Sequence, residues 1–151
     1  MKLWISVLIA LVLLFLLARW GIKKASPPPD TLYAGGGRLA ECPASPNCVS
    51  SMDDDPGHAI AAIPGDAKNA FVKLRQAILA AGNARLVVSR DDYLHAEYRS
   101  RLLGFIDDLE LLLDPAGDTL QIRSASRLGY SDFGVNRKRV ASLLKTLDDP
   151  A

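Results

Sequence analysis

Four arginines, three serines, one aspartate and one asparagine fall within the seventeen residues Arg123-Ser-Ala-Ser-Arg-Leu-Gly-Tyr-Ser-Asp-Phe-Gly-Val-Asn-Arg-Lys-Arg139. Arginine forks and helix N-terminal amides both favour an anion. Arg123 and Arg127, with the Ser126 and Ser131 hydroxyls and the N-terminus of a helix starting at Asn136, would converge on an anionic group. Ser124, Asp132 and Arg137 complete that candidate ligand set. The structural alternative has the same arginines clamping Asp107, Asp132 and exposed carbonyls to fix the loop.

Catalysis has less to draw on. A serine nucleophile needs a base within hydrogen-bond reach and a third group that orients the base. Ser124, Ser126 or Ser131 could use His95, with Asp132 behind it, but no Gly-x-Ser-x-Gly elbow occurs and His58 is the only other imidazole. Carboxylate chemistry would use Asp107, Asp108 and Glu110. Adjacent strand residues point to opposite faces, so only Asp108 and Glu110 share a side. No catalytic residue, metal ligand or cofactor is assigned; a hydrolase built on the 123–139 loop is the alternative to a binding role.

These residues need elements to hold them. Ala84–Arg90, Asp92–Arg101, Phe105–Asp114 and Thr119–Arg127 read as four strands, joined at Asp91-Asp92, at Leu103-Gly104 and at Pro115–Asp118, which implies an antiparallel meander. Leu94, Ala96, Tyr98, Leu109, Leu111, Leu113, Leu120 and Ile122 alternate onto one face. His95, Glu97, Arg99, Asp108, Glu110, Gln121, Arg123 and Arg127 take the other, with signs that alternate between neighbouring strands. That second face is either a solvated surface stitched by ion pairs or a groove for a polar partner. Asp107 lies on the apolar parity and needs an arginine, with Arg127, Arg137 and Arg139 as candidates, or else a place near solvent.

Before the meander, His58–Ile63 reads as a short strand stopped by Pro64-Gly65. A helix capped by Asp66 follows, with Ala67, Ala70, Phe71, Leu74, Ala77, Ile78 and Ala81 as one stripe, ending at Gly82. The last helix, capped by Asn136, carries Val140, Leu143, Leu144 and Leu147 and stops at Asp148-Asp-Pro150. The expected fold class is α+β: strand, helix, four strands, helix, an antiparallel sheet with two helices packed on one face and the polar face open. Phe71, Leu74, Tyr98, Leu109 and Leu111 would fill the core between them or line an apolar cavity.

The remaining segments concern compartment. Leu3–Ala18 is uncharged, flanked by Lys2 and by Arg19, Trp20, Lys23 and Lys24, so residues 1–24 read as a membrane anchor or, alternatively, a cleaved signal. Residues 25–38 carry Pro27, Pro28, Pro29 and Gly35, Gly36, Gly37 and read as a tether to a single domain over 39–149. The only cysteines, Cys42 and Cys48, bracket a Pro/Asn turn and could form a bridge that persists in an oxidising compartment. Two cysteines with no nearby histidine supply only half a tetrahedral metal shell. The Asp53-Asp54-Asp55 run lacks the remaining ligands of a calcium loop and reads as a solvated acidic turn. Eighteen basic against seventeen acidic side chains give a net charge of +1, which disfavours a nucleic-acid partner. The flanking charges, the amino terminus and Lys2 before the run against Arg19, Lys23 and Lys24 after it, lean toward a cytoplasmic domain, and the cysteine pair leans against it. The expected site is the cell inner membrane, single-pass, with an extracytoplasmic, periplasmic domain. The expected partners are the membrane, a lipid, an anionic small molecule or an envelope protein.

Three stretches carry a family resemblance: Cys42-Pro-x-Ser-Pro-Asn-Cys-Val-Ser-Ser51, Gly104-Phe-Ile-Asp-Asp-Leu-Glu110 and the 123–139 segment. Together they resemble the family catalogued as domain of unknown function 1499, over roughly Leu39 to Leu147 and without departure at these positions. The resemblance implies a compact domain behind a signal or anchor in envelope or lumenal compartments. It implies no activity, substrate or cofactor.

Overall fold

The computed structural model describes residues 2–32, 37–114 and 118–148. The chain opens with helix α1 (Lys2–Ala25), which buries none of its residues. At 1.5 Å per residue its 24 residues span about 36 Å, against roughly 30 Å of bilayer hydrocarbon. Among the described residues it is the one helix long and apolar enough to cross a membrane.

Then follow β1 (Cys48–Ser50), β2 (Ile63–Pro64), α2 (Ala67–Ala80), β3 (Ala84–Ser89), β4 (Tyr93–Arg99), β5 (Ile106–Leu113), β6 (Thr119–Ser126) and α3 (Val135–Asp148). The strands form one antiparallel sheet in the order β1-β6-β5-β4-β3, with β2 also paired to β6. The expected α+β class and the four-strand meander are present, each strand within two residues of its reading from sequence. Most of the turn over 115–118 lies outside the described residues, as does the Asp149-Pro150 end.

The beginning of the sheet differs from expectation. No strand runs through His58–Ile63; its place beside β6 is taken by Cys48–Ser50, with Ile63–Pro64 further along. The alternation over 58–63 was weak, whereas Cys48–Ser50 registers on Arg123–Ala125 and buries all three residues. The 58–60 segment is instead held by backbone bonds from Ser50 N to His58 O and from Ile60 N to Ser50 O.

Two helix termini also move. Asp66 caps α2 by accepting from the Asn69 N–H, but the helix closes at Ala81, whose N–H reaches the Ala77 and Ile78 carbonyls, one residue before Gly82. Asn136 lies inside α3, and the capping oxygens come from Asp132, which accepts from the Gly134 and Asn136 amides.

The core forms as the apolar parity requires. Leu94, Ala96, Tyr98, Leu109, Leu111, Leu120 and Ile122 pack against Ala70, Phe71, Leu74 and Ile78 of α2 and Val140 and Leu143 of α3. Each buried Leu, Ile, Val or Phe of this set contributes about 1.5–3 kcal/mol. Phe71, Leu74, Tyr98, Leu109 and Leu111 are at most 5% exposed and fill this core, rather than lining a cavity.

The polar parity overturns one expectation. That face is not open: His95, Glu97, Asp108, Glu110 and Arg123 are all buried. The chain leaving α1 covers it, with the Ser26 carbonyl accepting from Arg127 at one end of the sheet. At the other end Leu39 is buried with Tyr93, Leu112 and Met52. A sheet face that looks solvated in strand order alone is thus roofed by residues that precede the sheet in sequence.

Candidate functional site

Residues one position apart in β5 and β6 build two separate networks on opposite sides of the sheet. On the roofed side Arg127 is central. Its Nη2 donates to Glu97 Oε1 and Asp108 Oδ1, both at 2.7 Å, and its Nε donates to Asp108 Oδ2 at 2.8 Å. His95 Nε2 lies 2.7 Å from Asp108 Oδ1, and Arg85 Nη2 donates to Glu97 Oε2 at 2.9 Å. Beside this set Glu110 accepts from Tyr93 Oη at 2.8 Å and from Arg123 Nη1 at 3.0 Å, its register partner on β6.

The electrostatics follow from burial and pairing. Burial alone would raise the Asp108 and Glu97 carboxyls. The hydrogen bonds from Arg127 and His95 to Asp108, and from Arg85 and Arg127 to Glu97, outweigh it and hold both below the usual range. Arg127 is pushed up: burial works against its charge, and its two carboxylates more than compensate. Burial, reinforced by Glu110, raises the Tyr93 phenol. Burial likewise raises Tyr98, opposed by Arg139.

On the helix side the hub is Asn136, fully buried in the first turn of α3. Its Nδ2 donates to Asn47 O and Ser126 Oγ, both at 3.0 Å, and its Oδ1 accepts from Ser124 Oγ at 2.6 Å and from Arg139 Nη1. All four hydrogen-bonding positions of the amide are used. Asp107 accepts from Ser126 Oγ at 2.6 Å and pairs with Arg139 Nη2 at 2.5 Å; the Arg139 guanidinium also stacks on the Tyr98 ring. Of the three arginines considered for Asp107, Arg139 is the partner. Arg137 donates to the Ala59 and Gly57 carbonyls.

The residues read as an anion site are therefore not brought together. Arg123 and Arg127 face the roofed side, while Ser124, Ser126 and Asn136 face the helices. Ser131 accepts from the Phe133 amide, and Asp132 already occupies the α3 amides where an anion would sit. Strand alternation is the physical reason. His95 likewise faces the roofed side and the Ser124 and Ser126 hydroxyls face the helices, so the structure does not bring either serine to that imidazole. Cys42 and Cys48 are bonded to each other, and His58 Nδ1 lies 2.9 Å from the Cys48 carbonyl. Asp53 and Asp55 accept from nearby backbone amides. Among the described residues no group of three or more His, Cys, Asp or Glu could hold a metal ion.

One opening remains in the same segment. A cleft of about 260 Å³ is lined by the apolar Phe105, Leu128, Phe133 and Val135 and by the polar Ser126 and Asp107. Of the residues lining it Phe133 is 89% exposed, and Tyr130, in the same loop, is 76% exposed. Phe133 also holds a left-handed backbone, φ 55°, a conformation that costs a non-glycine residue roughly 1–2 kcal/mol. Leu128 and Phe133 escaped the reading from sequence because they sit in a loop, where no periodicity marks them, and Val135 because it opens α3 one residue before the expected start. Three apolar side chains in a Gly-punctuated segment were the available signal.

The sequence model of a family described as protein of unknown function (DUF1499) matches residues 38–147. No curated protein and no solved structure matches the chain.

Proposed function

From the premise that the chain belongs to the DUF1499 family, which brings no activity with it, we propose that it is a membrane-tethered binding module for a lipidic ligand. In this reading α1 is an uncleaved single-pass anchor, and the domain lies on the oxidising, periplasmic side of the inner membrane, where the Cys42–Cys48 bridge persists. The ligand's apolar chain enters the cleft between Phe105, Leu128, Phe133 and Val135.

The observation that carries this reading is the contrast within the 123–139 segment. Arg123 and Arg127 are turned inward onto carboxylates and Arg137 donates to carbonyls at the surface, while Leu128, Phe133 and Val135 line a cavity and Phe133 and Val135 stay exposed. Singly exposed apolar side chains are ordinary, but here Leu128, Phe133 and Val135 gather around one cleft, and apolar surface grouped in this way marks a ligand-binding groove. The cleft volume falls just below the roughly 300–1,000 Å³ of drug-sized sites, which suits one chain end rather than a whole lipid. Ser126 and Asp107 in the lining, already bonded to each other, offer little to a charged headgroup, so selectivity rests on the apolar portion.

The test is native mass spectrometry of the full chain with a lysophospholipid as probe. The parent protein is expected to retain one probe molecule. Leu128→Trp and Val135→Trp, which fill the cleft from opposite walls, are expected to release it while the far-ultraviolet spectrum is unchanged. No adduct on the parent, or an adduct surviving both substitutions, overturns the reading.

A further inference from the structure

The two ends of the sheet differ in charge and in what they touch. At one end lie the β4–β5 turn and the β6–α3 loop, and the last turns of α1 dock there. Arg19 Nη1 donates to the Leu102 carbonyl at 2.7 Å and to the Arg101 carbonyl at 3.4 Å. Arg127 Nη1 holds the Ser26 carbonyl at the same end. Arg19 directly follows the uncharged run and precedes Trp20, an interface-preferring side chain that is 62% exposed. Whatever depth Arg19 occupies, the β4–β5 turn shares it.

That end also has the chemistry of a membrane interface. Leu102 is 70% exposed beside exposed Arg101 and Arg99, and Tyr130 and Phe133 project from the neighbouring loop. The opposite end carries Asp66, Asp91, Asp92 and Asp118, all exposed, against Arg90 and Lys68. A basic and aromatic end beside the anchor and an acidic end away from it would orient the domain on an anionic bilayer.

We infer that the Leu102 turn and the Tyr130–Phe133 loop form a second membrane-contact surface, seated in the lipid interface next to α1. The domain is held down at two places rather than swinging on a tether. The mouth of the cleft, whose wall includes Phe105 and Phe133, then opens onto the bilayer. The inference rests on the anchoring role proposed for α1 and not on occupancy of the cleft.

The experiment places a photoactivatable benzophenone side chain at single positions of the full chain, in nanodiscs of phosphatidylcholine and phosphatidylglycerol, and weighs lipid adducts. Leu11 reports the anchor, Leu102 and Phe133 the proposed surface, and Asp91 the far end. Adducts at Leu102 and Phe133 close to the Leu11 yield, and about tenfold above Asp91, are expected for side chains resident in the interface. Adducts at Leu11 alone overturn the contact surface and leave the anchor standing. Adducts at none of the four overturn both. Equal adducts at Phe133 and Asp91 overturn the orientation. Omitting phosphatidylglycerol should lower the Leu102 yield about fivefold for each arginine at the surface; an unchanged yield overturns the role of charge.

Discussion

Arg127 and Phe133 are six residues apart and have opposite fates. The Arg127 side chain, 3% exposed, is saturated by Glu97, Asp108 and the Ser26 carbonyl. Phe133 is 89% exposed and held in a left-handed conformation. In strand order the arginine is the obvious ligand-binding residue and the phenylalanine an incidental loop residue. Their environments reverse the roles. A charge earns attention as a binding group only when the fold leaves it unpaired, and here the fold pairs it. Exposed apolar side chains point to a partner when they gather around a cleft, as Phe133 and Val135 do here.

The contrast can be tested most strongly at Arg127. Arg127→Ala leaves Glu97 and Asp108 buried without their shared partner, and removing one member of a buried pair costs about 3–5 kcal/mol. Urea unfolding should show that loss, whereas Arg101→Ala at the exposed turn should change stability by less than about 0.5 kcal/mol. Equal effects of the two substitutions would dissolve the distinction between structural and surface arginines.

A smaller effect is expected from pH. Asp108 and Glu97 have folded-state pKa values held down by their arginine and histidine partners against the effect of burial. Their contribution is present above the unfolded carboxylate values of roughly 4 and is lost as pH falls through the folded values. Tyr93 and Tyr98 are raised by burial, so their contribution is complete below roughly 10 and is lost as pH climbs past it. Thermal unfolding should therefore give a plateau between these limits with a fall on each side. Stability that rises on acidification below pH 4 would contradict the charge network.

The smallest effect belongs to Phe133→Gly. Relief of the left-handed strain, roughly 1–2 kcal/mol, is offset by about 0.5–1 kcal/mol of extra chain entropy in the unfolded state. Unfolding should show a neutral or slightly stabilised protein, while lysophospholipid retention falls. A clear destabilisation would make Phe133 a packing residue and remove it from the binding surface.

The Ser124 and Asn136 pair shows how far local pattern reached. Alternation correctly assigned the faces of β4, β5 and β6, because a period of two is a property of the extended backbone. For Asp107 it left two answers open, an arginine or a place near solvent, because a carboxylate on the apolar parity is costly without one of them. Which arginine answered was a matter of where α3 begins. Asp132 takes the capping role and shifts Asn136 inside the first turn, which brings Arg139 over Tyr98 and onto Asp107.

What the sequence determined by itself is whatever depends on neighbours in the chain: the apolar helix at the start, the α2 stripe and its Asp66 cap, the four-strand meander and the face each residue takes. Tertiary structure alone decided whether the charged face meets water. The residues that roof it, Ser26 and Leu39, lie more than fifty positions before β4 and carry no periodic mark. Tertiary structure also decided that two loops, one after β4 and one after β6, enclose a cleft. Contacts across such separations come from the packing of elements, and a local pattern holds no record of them.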